Sequence, residues 1–244
     1  LKNNYWLIVL TYIAMQLSGI IGLPLMGWIL PNFVAEDKVA IYSVVSWIVI
    51  SFSIAMLITL FFLRNERHSM DRSTDLWERM PIGGSIAWAI GGIFLAFVAQ
   101  AVAGTIEQQV FRINGASQNT QHILRLIEMF PVVILISSII GPILEEIVFR
   151  KILFGALLYR RLGFFLSALV SSVIFSLAHG EPEHTLLYSA MGFTFAFLYV
   201  KTGRIIVPII AHVSMNTLVV LISTNSGDWI KELEKAQSFI GGLL

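Results

Sequence analysis

Apolar runs of roughly bilayer length, separated by short polar stretches, set the pattern of the chain: Tyr5 to Leu30, Val39 to Leu63, Ile82 to Ala103, Ile123 to Tyr159, Phe164 to Ala178, Thr185 to Val200 and Ile205 to Ser223. A membrane-crossing helix needs about 20 mostly apolar residues. The pattern therefore predicts an all-α, polytopic transmembrane helix bundle of about seven spans. The first run exceeds the 7 to 15 apolar residues of a typical signal-peptide core and no small-residue cleavage site closes it, so it reads as a span, with Pro24 as the expected kink. The run from Ile123 to Tyr159 would reach about 55 Å as one unbroken helix, more than the roughly 40–45 Å of a bilayer with its headgroups. A break is expected at Gly141-Pro142, because proline lacks the amide donor and disfavours helix at the residue before it. Two crossings of that run would raise the count to eight.

The polar stretches orient the bundle. Arg64, Arg67, Arg72 and Arg79 mark the 64–79 stretch as a cytoplasmic loop, since basic residues rather than net charge set orientation. A single crossing at 123–159 also places Lys2, Arg160-Arg161, Lys201 and Arg204 on that side. Residues Gly104 to His122 read as a polar loop or interfacial segment, with His122 solvated. The tail from Asp228 to Leu244 mixes Trp229, Ile230, Leu233 and Phe239 with Lys231, Glu232, Glu234 and Lys235, and reads as a separate interfacial amphipathic helix. No repeat or linker divides the chain, so residues 1–244 form a single integral membrane domain.

Composition narrows the function classes. The 244 residues are 57% hydrophobic and 13% charged, about half the charged share of a soluble domain. A net charge of +1 offers no basic face for nucleic acid. Cysteine is absent, which removes disulfides, thiolate metal sites and a cysteine nucleophile.

Against this background Glu145, Glu146 and Arg150 stand out, because each charge near the centre of a membrane helix costs on the order of 2.5–3.5 kcal/mol. Glu146 and Arg150 are four residues apart and can pair on one helical face. Glu145 projects about 100° away and stays free. Two histidines sit in or at the end of apolar helices, His179 four residues after Phe175 and His212 four residues before Asn216. His184, in a polar turn, reads as solvated. If these helices converge, a carboxylate, two imidazoles and a carboxamide meet inside the membrane, and residues 123–223 form the motif-bearing core.

Such a set suits hydrolysis of a peptide bond. A desolvated Glu145 can act as general base toward water near neutral pH. His179 could hold the same water or a metal. His212 and Asn216 can donate to the oxyanion of a tetrahedral intermediate, while Glu146 and Arg150 orient the helix. Two histidines and a glutamate also match a catalytic zinc shell, but the H-E-x-x-H spacing is missing, so a divalent metal such as zinc stays an unassigned alternative. No G-x-S-x-G or S-x-x-K element supports serine catalysis.

E-E-x-x-x-R at Glu145, Glu146 and Arg150, F-x-x-x-H at Phe175 and His179, and H-x-x-x-N at His212 and Asn216, in that order, resemble the CAAX protease and bacteriocin-processing (CPBP, or Abi) family of intramembrane proteases, to which type II CAAX prenyl endopeptidase belongs. The resemblance covers roughly Pro131 to Leu221. It implies a multi-pass intramembrane endopeptidase of a bacterial plasma membrane, acting on a membrane-associated peptide or protein by a Glu145-activated water, with His179 beside it and His212 and Asn216 as the oxyanion pair. Lys151 stands where the family commonly has glycine, a departure that bears on helix packing. Peptide or bacteriocin processing and immunity are the roles the resemblance suggests. Two other readings differ in kind: a non-catalytic scaffold or regulator holding another membrane protein, and a transporter using the same groups as a proton relay. The single-crossing orientation puts Glu145 and His179 toward the end opposite Arg160-Arg161.

Overall fold

The computed structural model describes residues 3–65, 77–113 and 117–241. Most of the 64–79 loop lies outside the described residues. The protein is all-α. Helices α1 (Asn3–Leu17) and α2 (Gly19–Ile29) form a pair bent by 50°. The bend falls at Ser18, and the expected kink at Pro24 does not occur: Pro24 sits inside an uninterrupted helix. Ser18 explains the difference, because its hydroxyl donates to the Met15 carbonyl at 2.7 Å and accepts from the Trp47 indole at 2.9 Å. The indole packs against Gly22, where a Cβ would come within 1.8 Å of a ring carbon. Gly22→Ala is therefore expected to push Trp47 off Ser18 and lower stability by about 1–3 kcal/mol, the usual cost of overpacking, read as a fall in the thermal midpoint of the detergent-solubilised protein.

Helix α3 (Val39–Asn65) returns along α1, and α4 (Ile82–Gln109) follows. The short α5 (Gln118–Met129) is amphipathic, with Ser117 as its N-cap accepting from the Thr120 amide. Its inner residues Leu126 and Ile127 cover Val45, Val133 and Val220. The long run then breaks at Pro131 rather than at Gly141-Pro142. Beyond Pro131 the chain continues as α6 (residues 135–158), a π-helix from Leu135 to Ile140, an α-turn from Gly141 to Glu145 and a second π-helix from Glu146 to Leu158. Pro142 lies inside α6, and the carbonyl its missing amide leaves open, that of Ser137, accepts from the Asn216 side chain instead. Residues 123–129 thus belong to α5.

Helix α6 runs directly into α7 (Tyr159–Leu177), which is kinked within its first turns at Gly163, whose φ of 66° turns the chain just after Arg160-Arg161. Helix α8 (Thr185–Thr202) lies against α4, α6, α7 and α9, and ends on the left-handed Gly203. A side chain there would meet the Glu78 carbonyl at 2.6 Å. Helix α9 (Ile206–Gly241) continues without a break, so the tail expected as a separate helix from Asp228 is its extension.

Among the described residues four helical stretches are long and apolar enough to cross a membrane: Glu36–Arg64, Ile82–Gln109, Leu135–Leu177 and Ile206–Thr224. The bent α1–α2 pair makes a fifth if it counts as one span. The outer surface fits this, since Ile20, Ile21, Trp28, Phe61, Phe94 and Phe165 are exposed, an apolar belt that a water-soluble protein would not carry. Inside, Tyr12, Phe149, Phe175, Phe195 and Met215 belong to one core cluster. That core encloses the charged residues of α6.

Candidate active site

The second π-helix places Glu146 at its start, one turn before Arg150, and both are almost fully buried, at 0% and 1% exposure. Their ion pair forms as expected, with Arg150 Nε 3.3 Å from Glu146 Oε2. Both terminal nitrogens of Arg150 lack an acceptor among the described residues. Aromatic faces stand in for one: the guanidinium carbon is 4.1 Å from the Phe175 ring centre and 5.4 Å from that of Phe195, an arrangement in which the ring quadrupole attracts the cation. Gly192 on α8 makes room, since a Cβ there would lie 3.1 Å from Arg150 Nη2.

Glu146 does more than hold the arginine. Its Oε1 is 2.9 Å from Nδ1 of the buried His212 on α9, and because an ionised carboxylate only accepts, Nδ1 carries the proton. The stacked Phe195 ring, 4.6 Å away, and the edge of Phe175 at 6.1 Å fix the plane of the imidazole. Its Nε2 is turned toward Glu145, 3.8 Å from Oε2. Glu145 is the more open of the two acids, at 16% exposure, and lines the cavity described below. The division into one held acid and one available acid agrees with the spacing. The bond from Glu146 to His212, across 66 residues, is a contact that no local spacing signals.

His179 follows the end of α7 and donates from Nδ1 to the Phe175 carbonyl at 2.9 Å, which leaves Nε2 as the acceptor of a neutral ring. Phe175 meets the imidazole edge-on at 4.6 Å and Tyr188 stacks on it at 4.1 Å. Asn216, one turn beyond His212, donates from Nδ2 to the Ser137 carbonyl at 3.3 Å. In a π-helix that carbonyl would look to the amide five residues on. That residue is Pro142, which has no amide, so the side chain of Asn216 supplies the donor instead.

Glu145, His179, His212 and Asn216 line one cavity of about 750 Å³, together with Gln16, Ser137 and Tyr188. Glu146 and Arg150 stand behind its wall. The mouth is framed by the C-terminal end of α4, by α5 and by the 180–184 turn, among them Glu107, Ser117, His122 and His184. This is the end of the bundle away from Arg160-Arg161 and Arg204. A zinc shell of His179, His212 and a glutamate does not fit: among the described residues no set of three or more His, Asp or Glu is placed to hold a metal ion.

Several residues at this site are not marked by spacing. His184 is buried, against its reading as solvated, and its Nδ1 is 2.9 Å from Glu107, whose other oxygen accepts from the Leu187 amide at 2.8 Å. Gln16 of α1 donates to the Ala178 carbonyl at 3.3 Å, one residue before His179. A glutamine in the first apolar run was the available signal. Glu181 gathers the Ser117 hydroxyl at 2.6 Å, the Asn119 amide at 2.9 Å and the Tyr188 hydroxyl at 2.8 Å. Burial raises the Glu181 carboxyl, but these hydrogen bonds outweigh it and hold the group below the ordinary carboxylate value. A lowered folded value stabilises above the unfolded one and is lost on acidification. Anchorage of α5 by Glu181 is therefore expected to be complete above about pH 4.3, the ordinary glutamate value, and to weaken as pH falls through the lowered value. Faster hydrogen exchange at the Asn119 and Thr120 amides in acid, abolished by Glu181→Gln, is the expected sign.

Known proteins are similar to this chain in sequence. Residues 127–218 match the family described as type II CAAX prenyl endopeptidase Rce1-like. A putative membrane peptidase, YdiL, of Bacillus subtilis (strain 168) is 45% identical over 100% of this chain and 99% of its own length. The membrane-embedded CAAX protease MroQ of Staphylococcus aureus (strain USA300) is 33% identical over 75% of this chain and 76% of its own. The protein YxdF of Lactococcus lactis subsp. lactis (strain IL1403) is 27% identical over 54% and 73%. No solved structure matches the chain. With the three motifs lining or backing one cavity, one relative matched along the whole chain and another along three quarters of it, the chain belongs to the Rce1-like type II CAAX prenyl endopeptidase family of multi-pass membrane proteases.

Proposed function

We propose that the protein is an intramembrane endopeptidase that cleaves a peptide bond of a membrane-associated peptide or protein with a water activated by Glu145. The observation that carries this reading is the Glu146–His212 bond, which turns His212 Nε2 into the same cavity that Glu145, His179 and Asn216 line. Glu145 takes a proton from water while Nε2 of His179 accepts the second hydrogen bond of that water. The hydroxide oxygen bonds to the carbonyl carbon, and the carbonyl oxygen takes the negative charge. His212, donating from Nε2 while Nδ1 stays on Glu146, and the second N–H of Asn216 stabilise that charge. The carbon–nitrogen bond then breaks, and the leaving amine takes the proton held by Glu145.

We read the membrane topology as seven crossings. Gly163 would divide the Leu135–Leu177 stretch into two spans, and α8, enclosed by its neighbours, would supply another. The cavity mouth then faces the side opposite the basic residues.

Purified protein in detergent, presented with a peptide library, tests the proposal. His212→Ala and Asn216→Ala are each expected to lower kcat by about 10²–10³-fold, the range for loss of an oxyanion donor. Cleavage is expected to survive a chelator, because the donor set does not form a metal shell. Full activity in both variants would end this assignment.

A further inference from the structure

We infer that Tyr188 is a positioning residue, holding the His179 imidazole at the angle the reaction needs and itself held by Glu181. The inference rests on the reading that His179 acts on the water. Tyr188 lies nine residues past His179, outside the three motifs. Its ring stacks on the imidazole at 4.1 Å and 27°. The opposite constraint is Phe175, edge-on at 4.6 Å and bonded through its carbonyl to Nδ1 at 2.9 Å. The Nδ1 bond fixes one point of the ring. A single hydrogen bond still allows the ring to swing about it, and the flat face of Tyr188 removes that freedom.

The tyrosine is fixed at both ends. Its hydroxyl donates to Glu181 Oε2 at 2.8 Å, and the Ser117 hydroxyl reaches the same oxygen at 2.6 Å. Its backbone is pinned through the neighbouring Leu187 amide, which donates to the buried Glu107 at 2.8 Å. Tyr188 and Glu181 are only 6% and 7% exposed, so the bonds between them are shielded from competing water. Glu181 also takes the Asn119 amide. The first turn of α5 at the cavity mouth and the His179 ring inside it are therefore tied to one carboxylate.

The test uses the full-length protein in detergent and the library peptide that wild type cleaves fastest. Tyr188→Leu removes the stacking face and is expected to lower kcat by about 100-fold, the scale of loss when a reacting group is misplaced by about 1 Å. KM is expected to stay within about threefold, because substrate binding is not the affected step. Tyr188→Phe keeps the face but loses the bond to Glu181, and Glu181→Gln removes the charged acceptor; both are expected to lose about 3–10-fold in kcat, less than the full misplacement. If Tyr188 acts through His179, the double variant Tyr188→Leu/His179→Ala is no slower than His179→Ala alone. Wild-type kcat in Tyr188→Phe and Glu181→Gln, with His179→Ala inactive, overturns the inference and leaves the catalytic reading intact. A double variant well below His179→Ala also overturns it, since Tyr188 would then act independently. Wild-type kcat in His179→Ala removes the role of His179 and the inference together. Should Tyr188→Leu fail to fold, the Phe and Gln variants decide.

Discussion

Glu145→Gln is expected to lower the rate of peptide cleavage by about 10²–10⁴-fold, the contribution of a positioned general base, while leaving the thermal midpoint close to wild type. The two halves of this expectation come from the same geometry. Glu145 is 16% exposed to the cavity, and His212 Nε2, which faces it, is 3.8 Å away, beyond hydrogen-bond range. An amide of the same shape strands no buried charge but cannot take a proton from water. Kinetics on a library-derived peptide, beside differential scanning of the same preparation, measure both. A Glu145→Gln enzyme that still turns over at the wild-type rate would leave Glu145 without a part in the chemistry.

Glu146→Ala is expected to fail in the opposite manner, with stability lost before any kinetic comparison. Removing this acid leaves Arg150 with neither its ion pair nor water, and frees Nδ1 of His212. Breaking a buried pair from one side costs about 3–5 kcal/mol, a large share of the stability of a domain. Replacing both partners, Glu146→Met with Arg150→Met, is expected to recover much of the loss, since two apolar groups of similar volume leave no uncompensated charge. Activity is not expected to return, because His212 would still lack the acceptor that turns it. Unfolding midpoints for the single and double variants, with the peptide assay on whichever folds, separate the two effects. A single variant as stable as wild type would remove Glu146 from the structural role assigned to it.

That the chain is a bundle of membrane-spanning helices was legible, because a bilayer accepts backbone only when its polar groups are bonded within the segment, which forces long apolar helices into view. Pairs on one helix were legible as well: Glu146 with Arg150, and Phe175 with His179, are each four residues apart and meet as their spacing requires. Which proline breaks a helix was not. Pro131 and Pro142 look alike in the chain, yet only the first ends a helix, because at Pro142 the orphaned Ser137 carbonyl finds Asn216, 79 residues away. His184 was misread for a related reason. A histidine in a turn rich in Glu and Pro suggests solvent, and nothing nearby announces Glu107, 77 residues earlier, as its partner.

By itself, then, the order of residues determined that this is an α-helical membrane protein and which few polar groups lie within its apolar runs, since both depend on local period and composition. Tertiary structure alone decided that Glu146 turns His212, that Asn216 rests on Ser137, and that Tyr188, bonded to Glu181, stacks on His179. The first two contacts span 66 and 79 residues, the third depends on how the chain folds back through the 180–184 turn, and no spacing along one helix can express any of them.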